Sequence, residues 1–361
     1  MNTLVVRSLT PAGIPGLWGL EDFDTFLDAP AVGVRYPEQL VNQIAATMPF
    51  VPRRNRVYVA LLDGALCAAV TARPQSHRYR WDVVSLAATP ALLRDHASDC
   101  NAVWTSLLEF AIGQAGQARA KRLFASAFED SPAYHGLRSA TFEPFTRFLS
   151  LRGTLPREPT PRVEGFRRQE DSDVWSIHQL YHHVTPLGVQ HAEALTSAAW
   201  ETPVQSPIAR AAGRPPVTNA FVVDSAEGII AHCTVSTGRD GPTARILIEE
   251  RHRCQARDIA FAAARGSSVG PGSTLRVVIP AYAGELAGQF ADRGFFVESE
   301  RVALIRHTTA PALVISRAVA PLAESQERVP RGAPTYCNRM KRPTTAATMA
   351  SGCQRMESMA S

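Results

Sequence analysis

Lysine is almost missing from this chain of 361 residues: Lys121 and Lys341 stand alone, and the rest of its 38 basic residues are arginine. On a solvated surface the two are often exchangeable, so the bias reads as coding-sequence composition and not as a recognition device. The net charge of +5 is no stronger a signal. Six basic residues (Arg328, Arg331, Arg339, Lys341, Arg342, Arg355) and three acidic ones (Glu324, Glu327, Glu357) place +3 of it beyond residue 323. The +2 left on the body excludes the basic face that a nucleic-acid binder needs. The six cysteines (Cys67, Cys100, Cys233, Cys254, Cys337, Cys353) form no C-x-x-C pair, which argues against a zinc knuckle and against a disulfide framework. They read as free thiols. No run approaches the ~18 apolar residues of a membrane helix, and residues 1–10 lack a charged-then-apolar leader. The expectation is a cytoplasmic protein with neither a membrane nor a nucleic acid as partner.

What is present is a weak internal repeat. Residues 121–152 and 273–306 both read as a strand, Pro-Ala-Tyr, a short helix, an aromatic turn and a second strand ending in Arg. The tripeptides are Pro132-Ala133-Tyr134 and Pro280-Ala281-Tyr282. Upstream, the hairpin turning at Asp63-Gly64 matches one turning between Asp224 and Gly228. So long a period indicates duplicated domains and not a solenoid. The length agrees with about two domains. The boundaries follow: 1–153, a linker 154–162 stiffened by Pro156, Pro159 and Pro161, 163–320, and an aperiodic tail 321–361 expected to be disordered.

Each copy reads β, α, α, β, β, β, α, β, α, β. Trp104, Leu107, Leu108, Ala111 and Ile112 fall on one helical stripe, and Asp-Gly at 63–64 supplies the positive φ of a tight turn. The fold class expected is therefore α/β, each copy a mixed sheet with helices on both faces.

This element order, closing on Arg293-Gly294-Phe295 before the last strand, resembles the GNAT acyltransferase superfamily, in two tandem units over about 1–153 and 163–315. The resemblance implies acetyl-CoA as co-substrate, held where two central parallel strands splay apart, and a small amine as acceptor. It also implies a diphosphate-binding loop of the form R/Q-x-x-G-x-G/A, whose glycines open the backbone to the ligand at a helix N-terminus. The second copy has Arg251-His252-Arg253-Cys254-Gln255-Ala256 there, with Cys254 for the first glycine. The first has Arg94-Asp95-His96-Ala97-Ser98-Asp99, whose two aspartates oppose an anion. The second copy is thus expected to be the working half and the first to be degenerate.

Tyr282 and Tyr134 stand where the family often carries the Tyr that protonates the leaving thiolate, a task suited to a phenol of pKa about 10. The plain alternative is a Tyr packed under a turn. Glu250, beside Glu249 at the end of a strand, stands where the family places the base that deprotonates the amine; the alternative is an exposed carboxylate paired with Arg251 or Arg253. His178 and His182 share a helix face near His183, His191 and Glu193, but no H-E-x-x-H is formed and no metal is expected. The glycine-rich segment 266–272 lacks the G-K-[ST] ending of a phosphate loop and reads as a connection from helix to strand. Two functions follow from this: an acyl-CoA-dependent N-acetyltransferase, or a ligand-sensing or scaffold protein that keeps the fold without turnover. Neither the acceptor, the acyl chain nor the oligomeric state is legible.

Overall fold

The computed structural model describes residues 3–10, 13, 15–17, 20–22, 55–75, 79–95, 97–201, 217–238 and 241–308. The chain divides into two compact units, Met1–Ala312 and Leu313–Ser361. The expected tail 321–361, Cys337, Cys353 and residues 23–54 lie outside the described residues.

The first half of the larger unit runs β1 (Leu4–Ser8), β2 (Glu21–Asp22), β3 (Arg56–Leu62), β4 (Ala65–Pro74), β5 (Arg80–Ala88), α1 (Pro90–Asp95), α2 (Ala97–Gln117), β6 (Arg122–Ala127), α3 (Pro132–Ser139) and β7 (Glu143–Thr154). The second half runs β8 (Phe166–Arg168), α4 (Val174–Val184), α5 (Leu187–Glu193), β9 (Val217–Ser225), β10 (Gly228–Gly238), β11 (Gly241–Ile248), α6 (Ala256–Gly266), β12 (Thr274–Pro280), α7 (Leu286–Ala291) and β13 (Phe296–His307). Short 3-10 turns at Asp171–Asp173, Ser197–Trp200, Glu250–Gln255 and Ala281–Ala283 join them.

Local chemistry accounts for these elements. Asp63 and Gly64 turn β3 into β4 at φ 50° and 84°. Ser131 caps α3, its Oγ accepting from the Tyr134 N–H at 3.2 Å, with Pro132 in the first turn. Trp104, Leu107, Leu108 and Ala111 bury one stripe of α2 completely. Both α3 and α7 end in the same pair of closing bonds. Phe142 N–H reaches Leu137 O and Thr141 N–H reaches Arg138 O; Phe295 N–H reaches Phe290 O and Gly294 N–H reaches Ala291 O. That is the Schellman closure, which needs a left-handed residue before the aromatic one. Gly294 supplies it at φ 77°, Thr141 at φ 59°.

The thirteen strands form one sheet, not the two separate sheets that the repeat suggests. Its order is β1-β3-β4-β5-β6-β13-β7-β12-β11-β10-β9-β8, with β2 joined to β5. The last strands have changed places. β13, the end of the second half, pairs antiparallel with β6 from Val302↔Ala127 to His307↔Arg122. β7, the end of the first half, pairs antiparallel with β12 from Thr274↔Thr154 to Pro280↔Phe148. β13 and β7 then pair with each other. The run Val302-Ala303-Leu304-Ile305 is buried on both faces, as an apolar stretch inserted mid-sheet must be.

Two main cores result, each completed by the other half. The first packs α2 and α3 on β3 to β6 and includes Val302 and Leu304 of β13. The second packs α6 and α7 on β9 to β12 and includes Leu151 of β7. At the exchange point Gly153 is obligatory: a Cβ there would lie 2.4 Å from the Phe295 ring. Residues 155–163 have no regular structure; Arg265 holds them through the carbonyls of Pro156, at 2.8 Å, and Glu158.

Candidate active site at the splayed strands

Each half holds one parallel pair, and both pairs come apart. β5 and β6 keep register only over Arg80↔Arg122, Trp81↔Leu123 and Asp82↔Phe124. β11 and β12 keep it over Thr243↔Arg276, Ala244↔Val277 and Arg245↔Val278. Past those pairs the two strands of each pair no longer bond each other, which opens a place where an extended segment can pair with main chain.

The two clefts differ. In the first, β2 lies against the open edge of β5, Glu21↔Ala88 and Asp22↔Ala87, while β4 holds the opposite edge. The chain fills its own cleft. In the second, no strand among the described residues pairs with β11 on that side beyond Arg245.

The expected diphosphate loop, Arg251 to Ala256, is wound into the 3-10 turn that leads into α6. His252 N–H bonds Glu249 O at 3.0 Å and Ala256 N–H bonds Arg253 O. Cys254 and Gln255 are exposed and Ala256 is buried. Arg251 pairs with Glu227 at 2.8 Å and Glu249 at 3.4 Å; Arg253 pairs with Glu285, and with Glu250 at 4.0 Å. Yet Arg253 Nε and the nearby Gln289 Oε1 are buried with no hydrogen-bond partner among the described residues. Gln289 Nε2 donates to Arg253 O at 2.8 Å, so these groups form one cluster. The first copy's counterpart, 94–99, falls at the break between α1 and α2, and its side chains lie outside the described residues.

Tyr282 sits in the 3-10 turn that follows β12, half-buried against the second core. Burial raises its pKa, as does the Glu193 carboxylate, while Thr185 and Arg253 oppose the rise. Tyr134, on α3 after β6, packs partly against the first core with its ring 5.9 Å from that of His135. The two tyrosines belong to different clefts. The Glu250 side chain is 87 % exposed, whereas that of Glu249 is drawn in to 18 % beside Arg251.

The histidines hold the helical hairpin of α4 and α5 by a directional chain. Trp200 Nε1 donates to His178 Nδ1 at 3.1 Å, which leaves the His178 proton on Nε2. That proton faces His182 Nε2 at 3.2 Å, and His182 Nδ1 in turn meets Gln190 Oε1 at 2.5 Å. Gln190 Nε2 closes the chain on the carbonyls of His182 and Thr185. Burial, then the neighbouring His182, lowers the pKa of His178. No group of three or more His, Cys, Asp or Glu among the described residues could hold a metal ion, and no helix among them is long and apolar enough to cross a membrane.

No protein-family model matches the chain, and no curated protein matches it in sequence. Solved structures do. A GCN5-related N-acetyltransferase from Sphaerobacter thermophilus superposes with a TM-score of 0.50 at 13 % identity, over 84 % of this chain and 96 % of that one. A tandem GNAT protein from the clavulanic acid biosynthesis pathway gives 0.48 at 15 % identity over 85 % and 99 %, and a putative acetyltransferase from Pyrococcus horikoshii 0.45 at 13 % over 85 % and 90 %. Two copies of one element order, each with a splayed parallel pair, and this likeness together give the chain the fold of the GNAT N-acetyltransferases in tandem.

Proposed function

We propose that the chain is an acyl-CoA-dependent N-acyltransferase, using acetyl-CoA and a small amine, and that its second half does the work. The observation that carries this is the contrast between the clefts: β2 fills the first, and the edge of β11 past Arg245 is open among the described residues. When bound, the thioester supplies an acyl group on a good leaving thiol. The chain's own residues supply the rest. Arg251 and Arg253 offer guanidiniums to a diphosphate, and the orphaned Arg253 Nε is a donor with no bond to give up. Tyr282, kept protonated by burial, is the proton donor to sulfur in this reading.

Calorimetric titration with acetyl-CoA tests the reading. Saturable binding at one site per chain, weakened by Arg253→Ala, is expected. Two equivalent sites, or none at millimolar acetyl-CoA, would remove it.

A second reading, ligand sensing or scaffolding without turnover, has its own support. The 3-10 turn consumes loop amides that a diphosphate would need, and Arg251 and Arg253 are engaged by carboxylates. Thermal stabilisation by a metabolite other than acyl-CoA, with no release of CoA, favours that reading.

A further inference from the structure

Beside the histidine chain, α4 and α5 also carry a polar cluster that includes Glu193, a residue weighed above only as a neighbour of those histidines. Tyr181, 3 % exposed on α4, donates its hydroxyl to Glu193 Oε2 at 2.7 Å. Among the described residues nothing donates to Glu193 Oε1. Thr185 Oγ1, buried, neighbours the Tyr282 phenol and has no hydrogen bond of full geometry among the described residues. Tyr282 interacts electrostatically with both Tyr181 and Glu193.

Side chains of the first half flank this carboxylate. Ala192, next to Glu193, packs on Phe124 of β6 and Ile305 of β13. Arg80 of β5 lies 4.1 Å over the Phe124 ring and pairs with Asp82 at 2.9 Å. The charges of Arg80 and, from the second half, Arg245 both act on Glu193, favouring its ionised form against the burial that opposes it.

We propose that Glu193 is the catalytic base for the acceptor amine, and that the first half persists as the wall that positions it. The proposal rests on the acyl-transfer reading above. Glu193 accepts an N–H of a small neutral primary amine. As the nitrogen lone pair forms the C–N bond and the C–S pair of the acyl thioester leaves on sulfur, Glu193 takes one proton from nitrogen and Tyr282 gives one to sulfur. Transfer of the proton from Glu193 to the Tyr282 phenolate restores both groups. Glu250, 87 % exposed, offers no comparable exclusion of water.

The test uses the full chain with acetyl-CoA and four amines: putrescine, lysine, ethanolamine and tyramine. Release of CoA thiol, binding of acetyl-CoA and melting temperature are measured on wild type, Glu193→Gln, Tyr181→Phe and Glu250→Gln. Glu193→Gln should lower kcat/KM by about 10²–10⁴ and erase the acidic limb of its pH profile while acetyl-CoA still binds. Tyr181→Phe should move that limb to higher pH, because the Tyr181 bond lowers the pKa of Glu193. Activity is not the only readout. A carboxyl whose folded pKa is raised stabilises below the unfolded value, and that contribution fades as pH rises through the folded one. The melting temperature of the Glu193→Gln protein should therefore gain on wild type as pH rises above about 4.3. An unchanged acidic limb in Glu193→Gln, a melting difference flat with pH, or loss confined to Glu250→Gln would overturn the proposal and leave acyl transfer standing. Wild type that releases no thiol with any of the four amines would overturn both.

Discussion

Thr141 holds a backbone conformation that disfavours a β-branched residue, because its Cβ crowds the carbonyl at φ 59°. Gly294, its counterpart, meets no such conflict, and a Cβ there would touch nothing within 4 Å. Thr141→Gly should accordingly stabilise the protein by about 0.5–1 kcal/mol, seen as a higher denaturant midpoint at constant slope. Buried His232 makes a second case. Its ring, 5 % exposed and bonded through Nε2 to Gln169 Oε1 at 3.0 Å, has its pKa lowered by burial to about 4, against the pull of Asp173. The folded state keeps it neutral while the unfolded chain protonates near 6.5, so stability falls as pH drops from about 6.5 towards 4, by at most about 1.4 kcal/mol per pH unit. His232→Gln should flatten that part of the stability curve; an unaltered slope in chemical denaturation would refute the assignment. At this scale sequence patterning pointed to Tyr282 and the Arg251 loop, since both sit at fixed places in a repeated order. Glu193 stayed hidden. Only the burial of Val189 and Ala192 shows which way the end of α5 faces, and that depends on Phe124 of β6 and Ile305 of β13, strands far from it in sequence on either side.

Among elements, the exchange of β7 and β13 makes the strongest claim. Leu304 belongs by sequence to the second half and by packing to the first core. Leu304→Ala should cost about 2–5 kcal/mol, and the amides of α2 should lose hydrogen-exchange protection before those of α6. The reverse order would mean that β13 does not support the first core. From β3 onward most element types and their order were legible because strand alternation and helical stripes are local; the helical segments expected up to about residue 47 lie outside the described residues. Strand partners were not: alternation says which face of a strand is buried, and nothing in it says which edge meets which neighbour. The apolar run 302–305 is buried mid-sheet, and nothing in it names the sheet that receives it. The same holds for β2, two residues long, whose place in the first cleft has no signature in composition.

For the molecule as a whole, the duplication was readable and the shared sheet was not. Because each core contains a strand from the other half, the described body should unfold in one cooperative step, its calorimetric enthalpy equal to the van't Hoff value. Two resolved transitions would contradict the exchange. Residues 1–153 alone should fail to fold, and should regain structure when co-expressed with residues 154–361.

The exchange also sets a timetable for synthesis. β6 ends at Ala127, and the strand that covers its edge is complete only at His307. At about 5–20 residues per second, a ribosome leaves that edge exposed for roughly 10–40 s. Nascent chains of neighbouring ribosomes present the same naked strand at the same moment, so a stall between these points turns a maturation delay into an opportunity for co-aggregation, and demand for holdase chaperones should peak there.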